Sequence, residues 1–334
     1  MSAIFEQNLK SEHATLHGLI LSRQWYDTVS GQSLVYWLAT RQGPARLEFT
    51  GQESVFFIPA SSISRAETIL ATGLKWRSAS VALRCFSETD EPVIACYFRN
   101  QRALGLARGL LQNNHIPTYE ADIRPTDRYL MERFVQGTLE VSGDFNVAEG
   151  YLSAVNPKIR GASFEPSLSV VSLDIETSIT NGTILSIAVD SNDVRKVFMV
   201  GKLRPSSLPY LEFIEDETTL LQRFMVWFAA LDPDVIIGWS VVGFDLRFLQ
   251  KRADALGLKF NIGRGMSPVS WRFLDQGQQR FYAVVPGRVV LDGIELLKTA
   301  TYSFESFSLE NVSRKLLGRG KLVHDVDSRA AEIE

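Results

Sequence analysis

The sequence predicts a mixed α/β (α+β) protein in two parts: a smaller β-rich N-terminal domain, then a domain of helices packed on a mixed sheet. Three observations carry that expectation. At 334 residues the chain exceeds a typical single domain and is long enough to bury two cores. Residues 19–98 hold short β-rich runs broken by Gly and Pro signals. Beyond residue 150 the rhythm changes, with strand-like runs alternating with segments of helical period.

In the first half, Leu34–Leu38, Ser54–Ile58 and Val93–Phe98 read as strands. Between Arg99 and His115, Leu104, Ala107, Leu110 and Leu111 recur at helical spacing, with Arg99, Arg102 and Arg108 toward another face. Such a basic face is more often solvated than bound to phosphate. A helix is expected at Thr126–Val135. The stretch Val155–Gly161, with Pro166, reads as an approach to the second domain, so the boundary is placed near residue 150: 1–150 and 151–334.

In the second half, Ser169–Ile175 and Thr183–Val189, joined through Asn181-Gly182, and Arg195–Val200 predict an antiparallel meander. A helix at Glu217–Leu231 and a strand at Asp234–Gly238 follow, giving the order βββαβ. Leu246, Leu249, Ala253 and Leu256 mark a further helix, and Arg288–Leu291 a further strand. Asp292 is read as the N-cap of a helix Gly293–Ala300, with a ligand role as the less common alternative. A last helix runs from Ser308, as N-cap, to a stop at Gly318, with Leu309, Val312, Leu316 and Leu317 facing inward.

Bulk properties exclude several classes. Hydrophobic residues make up 45% and charged residues 22%, which is globular composition rather than disorder. A formal charge of −3 argues against non-specific coating of nucleic acid, while leaving room for a local DNA cleft. No apolar run approaches a membrane span and Met1–Gln7 has no basic leader, so a cytoplasmic protein without a membrane partner is expected. Cys85 and Cys96 form no Cys-x-x-Cys pair and read as buried thiols. His13, His17, His115 and His324 lack zinc-ligand spacing. Gly318–Lys321 is not a phosphate loop, and Asp325–Ser328 lacks the flanking hairpin signal of a polymerase Asp-x-Asp-Ser motif.

The chemistry concentrates in Val171–Glu176. Period-two alternation sends Val171, Leu173 and Ile175 to one face and Asp174 and Glu176 to the other, so two carboxylates lie side by side. A bare Asp-x-Glu is usually a solvated pair, but this one ends a run that reads as a central buried strand, and a divalent cation would relieve its repulsion. Ile236–Gly238 then leads through a Gly-containing loop to Asp245, a third carboxylate, which alone would be read as complementing a helix N-terminus. Three carboxylates from two strand ends suit hard cations and phosphodiester hydrolysis.

These motifs resemble family B DNA polymerases. Asp174-Ile175-Glu176-Thr177 resembles the family's first exonuclease motif, and Ile236–Trp239 with Phe244-Asp245 the second. Tyr119–Arg124, Arg128–Phe134, Asp232–Trp239, Gly287-Arg288 and Asp292–Glu295 extend the likeness to bacterial members across most of the chain. The resemblance implies a ribonuclease H-like 3′→5′ exonuclease domain behind a β-rich N-terminal domain. It also implies proofreading in a longer polymerase. It makes Asp174, Glu176 and Asp245 catalytic metal ligands for two ions, Mg²⁺ or Mn²⁺. Thr177, Ser240 and Phe244 fall where relatives touch the single-stranded 3′ end of the primer; Phe244 reads equally well as core. DNA, C-terminal polymerase domains and a sliding clamp are the implied candidate partners. Two departures stand out: Ser240 occupies the family's Asn position, and no Tyr-x-x-x-Asp third motif follows Asp245.

Overall fold

A computed structural model of the chain describes residues 12–71, 73–84, 90–148, 150–275 and 279–320. Cys85, His324 and the Asp325–Ser328 run fall outside them. The chain divides into two compact units, Met1–Pro166 and Ser167–Glu334. The two are nearly equal in length.

The first unit opens with β1 (Glu12–Thr28), β2 (Gly31–Thr40) and β3 (Gly43–Gln52), continues through β4 (Ser54–Pro59), α1 (Ile63–Leu70), β5 (Trp76–Arg84), β6 (Pro92–Phe98), α2 (Gln101–Asn113) and α3 (Pro125–Met131), and ends with β7 (Thr138–Ala148), β8 (Tyr151–Val155) and β9 (Lys158–Gly161). β1 pairs with β2 through one stretch and with β7 through another, so the sheet β1-β2-β3-β8-β7 returns to β1 and closes, with β9 added beside β7. Closure removes exposed strand edges. Leu34, Tyr36, Leu47, Phe49 and Val141 form its core. A three-stranded sheet, β4-β6-β5, packs Phe56, Ile58 and Phe98 against α1 and α2.

Several expectations change here. The boundary near 150 would cut the β7–β8 hairpin, and Val155–Gly161 is no approach segment: β8 lies parallel to β3, and β9 antiparallel to β7. Pairing partners so distant in sequence leave no local signal. α3 is shorter than Thr126–Val135. In α2, Leu104, Ala107 and Leu111 are buried but Leu110 is exposed, because the helix buries a narrower stripe than its apolar residues mark. Cys96 is a buried thiol, pushed up to about 12 by that burial.

The second unit is built on the six-stranded sheet β13-β12-β11-β10-β14-β17. β10 (Val170–Thr177), β11 (Ile184–Asp190) and β12 (Arg195–Val200) form the expected meander, and β13 (Leu211–Ile214), not anticipated, adds parallel to β12. α4 (Glu217–Leu231) begins where the side chain of Asp216 accepts from the Thr219 N–H and buries Leu220, Leu221, Phe224 and Phe228. β14 (Val235–Gly238) lies parallel to β10 on one side and to β17 (Val289–Asp292) on the other. α5 (Leu246–Ala255), a hairpin of β15 (Ser270–Asp275) and β16 (Gln279–Val284), α6 (Gly293–Thr299) and α7 (Leu309–Leu317) complete the unit. Ser308 and Gly318 cap α7 as expected, but only Val312 is buried; Leu309, Leu316 and Leu317 are exposed. Helical period defines an apolar face without saying whether anything covers it. No helix among the described residues is long and apolar enough to cross a membrane.

The starts of β14 and β17 are pinned by buried charge. Asp232, at the left-handed end of α4, accepts from Arg264 Nε at 2.9 Å and pairs with Arg288 Nη1 at 2.9 Å. Asp234 accepts from Arg264 Nη2 at 2.8 Å and, through its other oxygen, from the Ser169 N–H just before β10. Arg288 also donates to the carbonyls of Pro233 and Ile262. Burial brings the Arg288 guanidinium down to about 10, with Asp232 opposing the shift. Two cations balance two carboxylates, and removing one leaves uncompensated charge. Arg288→Met is expected to lower stability in urea by about 3–5 kcal/mol; a loss below about 1 kcal/mol would show that the network does not hold the strands.

Candidate active site

Three strand ends converge where the sequence placed the carboxylates. Along β10, Val171, Leu173 and Ile175 are buried while Ser172 and Asp174 are exposed and Glu176 is half-buried. Asp174 and Glu176 do share a face. That face is open, however, so β10 is central in the sheet but not buried on both sides. Between Glu176 and Thr177 the register with β11 shifts, an irregularity that re-aims the strand end. Thr177 is half-buried.

Beside it, β14 ends at a glycine for a steric reason. A Cβ on Gly238 would lie 2.7 Å from the Leu173 carbonyl oxygen and 2.8 Å from Val241 Cβ. Only glycine lets the chain turn this close to β10. Ser240 then adopts φ 60°, ψ 25°, the left-handed region, where Asn is several-fold enriched over other non-glycine residues. The residues Val241–Asp245 form a π-helical turn that delivers Asp245 to the start of α5. Such turns recur at functional sites.

Asp245 is only 2% exposed, and its Oδ1 accepts the Ile175 N–H at 3.0 Å. Burial, and then the charge of Asp174, push its carboxyl up to about 7, against the lowering effect of that hydrogen bond; Asp292 adds to the rise. Asp292 itself is the expected N-cap of α6: its Oδ1 accepts the Ile294 N–H at 3.0 Å. Its Oδ2 accepts the Val242 N–H at 3.0 Å, a contact that nothing in the sequence announced.

Phe244 is 45% exposed, with its ring centroid 5.7 Å from that of Phe248, so it does not belong to the core. Ser240, Val242 and Gly243 line one side of a groove of about 400 Å³, and Phe281, Tyr282 and Lys298 lie on its other walls. The β15–β16 hairpin escaped the sequence reading, although Trp271 and Phe273 alternate along β15 as half-buried strands require. Arg247 holds it to α5, its guanidinium 3.5 Å from the Phe281 ring centroid.

Oxygen donors with mutual repulsion suit a hard divalent cation, and the raised carboxyl of Asp245 beside Asp174 is the condition such an ion relieves. In that respect the residues fit. Among the described residues, no three Asp, Glu, His or Cys side chains are placed together as a metal-holding set. Asp174 and Asp245 are thus the electrostatically coupled pair, with Glu176 next along the same strand face. His13, His17 and His115 lie in the other unit.

Two sequence families match the chain: "DNA polymerase family B, exonuclease domain" over residues 116–312, and "DNA polymerase II, N-terminal" over residues 18–53. The chain is 40% identical over 321 residues to the DNA polymerase II of Escherichia coli, covering 95% of this chain and 40% of that protein. It is 27% identical over 213 residues to the DNA polymerase of Thermococcus gorgonarius, covering 62% of this chain and 23% of that one. Its fold superposes on the structure of the family B DNA polymerase from the hyperthermophilic archaeon Pyrobaculum calidifontis with a TM-score of 0.71 at 18% identity, over 91% of this chain and 40% of that one. The chain therefore spans about two fifths or less of the length of these relatives.

Because ionised Asp245 is disfavoured only in the native state, stability is lost as pH rises from the ordinary carboxylate range through about 7. Asp245→Asn, which keeps an acceptor for Ile175, is expected to stabilise the metal-free protein by about 2–4 kcal/mol near pH 8 and to leave it unchanged near pH 4. Equal effects at both pH values in chemical denaturation would contradict this. Ser240→Asn, better suited to the left-handed turn, is expected to raise stability by about 0.5–1 kcal/mol; a lower melting temperature would contradict it.

Proposed function

This chain belongs to the family B DNA polymerases, as a DNA polymerase II-like region that carries their exonuclease domain, and we propose that the domain removes the 3′-terminal nucleotide of DNA by phosphodiester hydrolysis. The observation that supports this most is the coupling of Asp245 to Asp174 across two strand ends.

In this reading Asp174, Glu176 and Asp245 hold Mg²⁺ or Mn²⁺, two ions in the complete site. Bound there, divalent cations supply an activated water and charge stabilisation for the departing 3′ oxygen. The chain's own residues orient the strand. Asp245 is fixed by the Ile175 N–H, so its carboxylate would hold a divalent cation there without rearrangement. Phe244 offers an exposed ring on which a terminal base stacks. Ser240 and Thr177 bring hydroxyls to the same ends of the sheet, Ser240 with a shorter reach than the family's Asn. The substrate is the single-stranded 3′ end of a primer, and the working partners are C-terminal polymerase domains and a sliding clamp.

A catalytically silent DNA-binding module of the same fold is the second reading, favoured by the finding that, among the described residues, no three Asp, Glu, His or Cys side chains are placed together as a metal-holding set. Digestion of 3′-labelled single-stranded DNA in Mg²⁺ separates the two. Asp174→Ala is expected to slow nucleotide release by roughly 10²-fold or more, the scale of removing one transition-state charge stabiliser. Equal rates for the two proteins would overturn the site, and DNA binding without release from either would favour the silent module.

A further inference from the structure

Asp292 is usually the sort of residue that ends its explanation at a helix cap, but its two carboxylate oxygens are divided between two elements. Oδ1 accepts from Ile294 at the start of α6, and Oδ2 accepts from Val242 in the π-helical turn. Asp292 is 8% exposed. The residue after it leaves no slack: a Cβ on Gly293 would lie 3.0 Å from the Trp239 ring. Trp239 in turn donates from Nε1 to the Phe307 carbonyl at 3.1 Å. The end of β17 is thus packed against the end of β14 on one side and hydrogen-bonded to the following turn on the other.

The turn held by Asp292 carries Asp245 three residues later, and Asp245 is bonded to Ile175 of β10. A chain of contacts therefore runs from α6 through Asp292, Val242 and Asp245 to β10. We infer that Asp292 is a positioning residue of the exonuclease site: its Oδ2 fixes the Val241–Asp245 turn and thereby the place of Asp245 beside Asp174. A single-acceptor cap would serve α6 equally well, so the second oxygen is the part that the helix does not require. The tether stands on hydrogen bonds alone; its consequence for metal binding rests on the function proposed above.

Asp292→Ser separates the two tasks, because serine caps a helix but its hydroxyl is too short to bridge to Val242. Amide hydrogen exchange of the metal-free protein by NMR is the first readout. In the Ser variant, protection is expected to fall at least about tenfold at Val242 and at Ile175, the scale of one lost hydrogen bond, with Ile294 and the other β10 amides unchanged. Asp292→Asn, which puts an amide N–H against the Val242 N–H, is expected to do the same and serves if the Ser variant does not fold. Unchanged protection at Ile175 in both variants overturns the inference.

Mn²⁺ titration of the same proteins is the second readout, with Asp174→Ala alongside. Affinity about fivefold weaker at unchanged stoichiometry supports a positioning role. Loss of a whole equivalent of Mn²⁺ from Asp292→Asn with exchange intact makes Asp292 a ligand instead, and overturns it. If Asp174→Ala binds Mn²⁺ as the unaltered protein does, the metal reading of the site fails while the exchange result still decides the tether.

Discussion

One hydrogen bond organises the second unit's functional end: the Ile175 N–H of β10 donated to a carboxylate oxygen of Asp245. The bond links two segments seventy residues apart and takes a carboxylate almost wholly out of water. A buried acid beside a second acid costs free energy when both ionise. That cost accounts for the raised carboxyl of Asp245, and a divalent cation bound there would relieve it.

Much of the surrounding structure holds that bond in place. Gly238 allows the approach to Leu173, and the left-handed Ser240 starts the π-helical turn that presents Asp245. Asp292 holds the turn from the far side. At the opposite end of the same strands, Asp232, Asp234, Arg264 and Arg288 form a charge-balanced cluster, buried but for the half-buried Asp232, that fixes where β14 and β17 begin. The strands are thus secured at their starts by paired charge, while near their ends Asp174 and Asp245 repel one another.

Local physics made most of the second unit's elements readable in advance, the β15–β16 hairpin and β13 excepted. Alternation identified β10 and the shared face of Asp174 and Glu176; helical period and capping gave α4, α6 and α7. What stayed hidden depends on distant pairing. β8 lies parallel to β3, and β13 to β12, with no hairpin signal to announce either. Arg264 looks like any basic residue until its partners at Asp232 and Asp234 are in space. Asp245 was visible as a residue, but its burial was not, since that follows from Gly238 and the turn. Phe244 read equally as core or surface, and its exposure decides for the surface. The apolar residues of α7 show the converse limit, a correct helix whose outward leucines no periodicity distinguishes from inward ones.

The central claim is that Asp174 and Asp245 together make a cation site. Carbon-13 NMR titration of the Asp245 carboxyl, without and with Mg²⁺, tests it most directly. A carboxyl that titrates at about 7 in the metal-free protein, and drops by more than about one unit when Mg²⁺ is added, is the result expected. A carboxyl already in the ordinary range, or one indifferent to Mg²⁺, would contradict it.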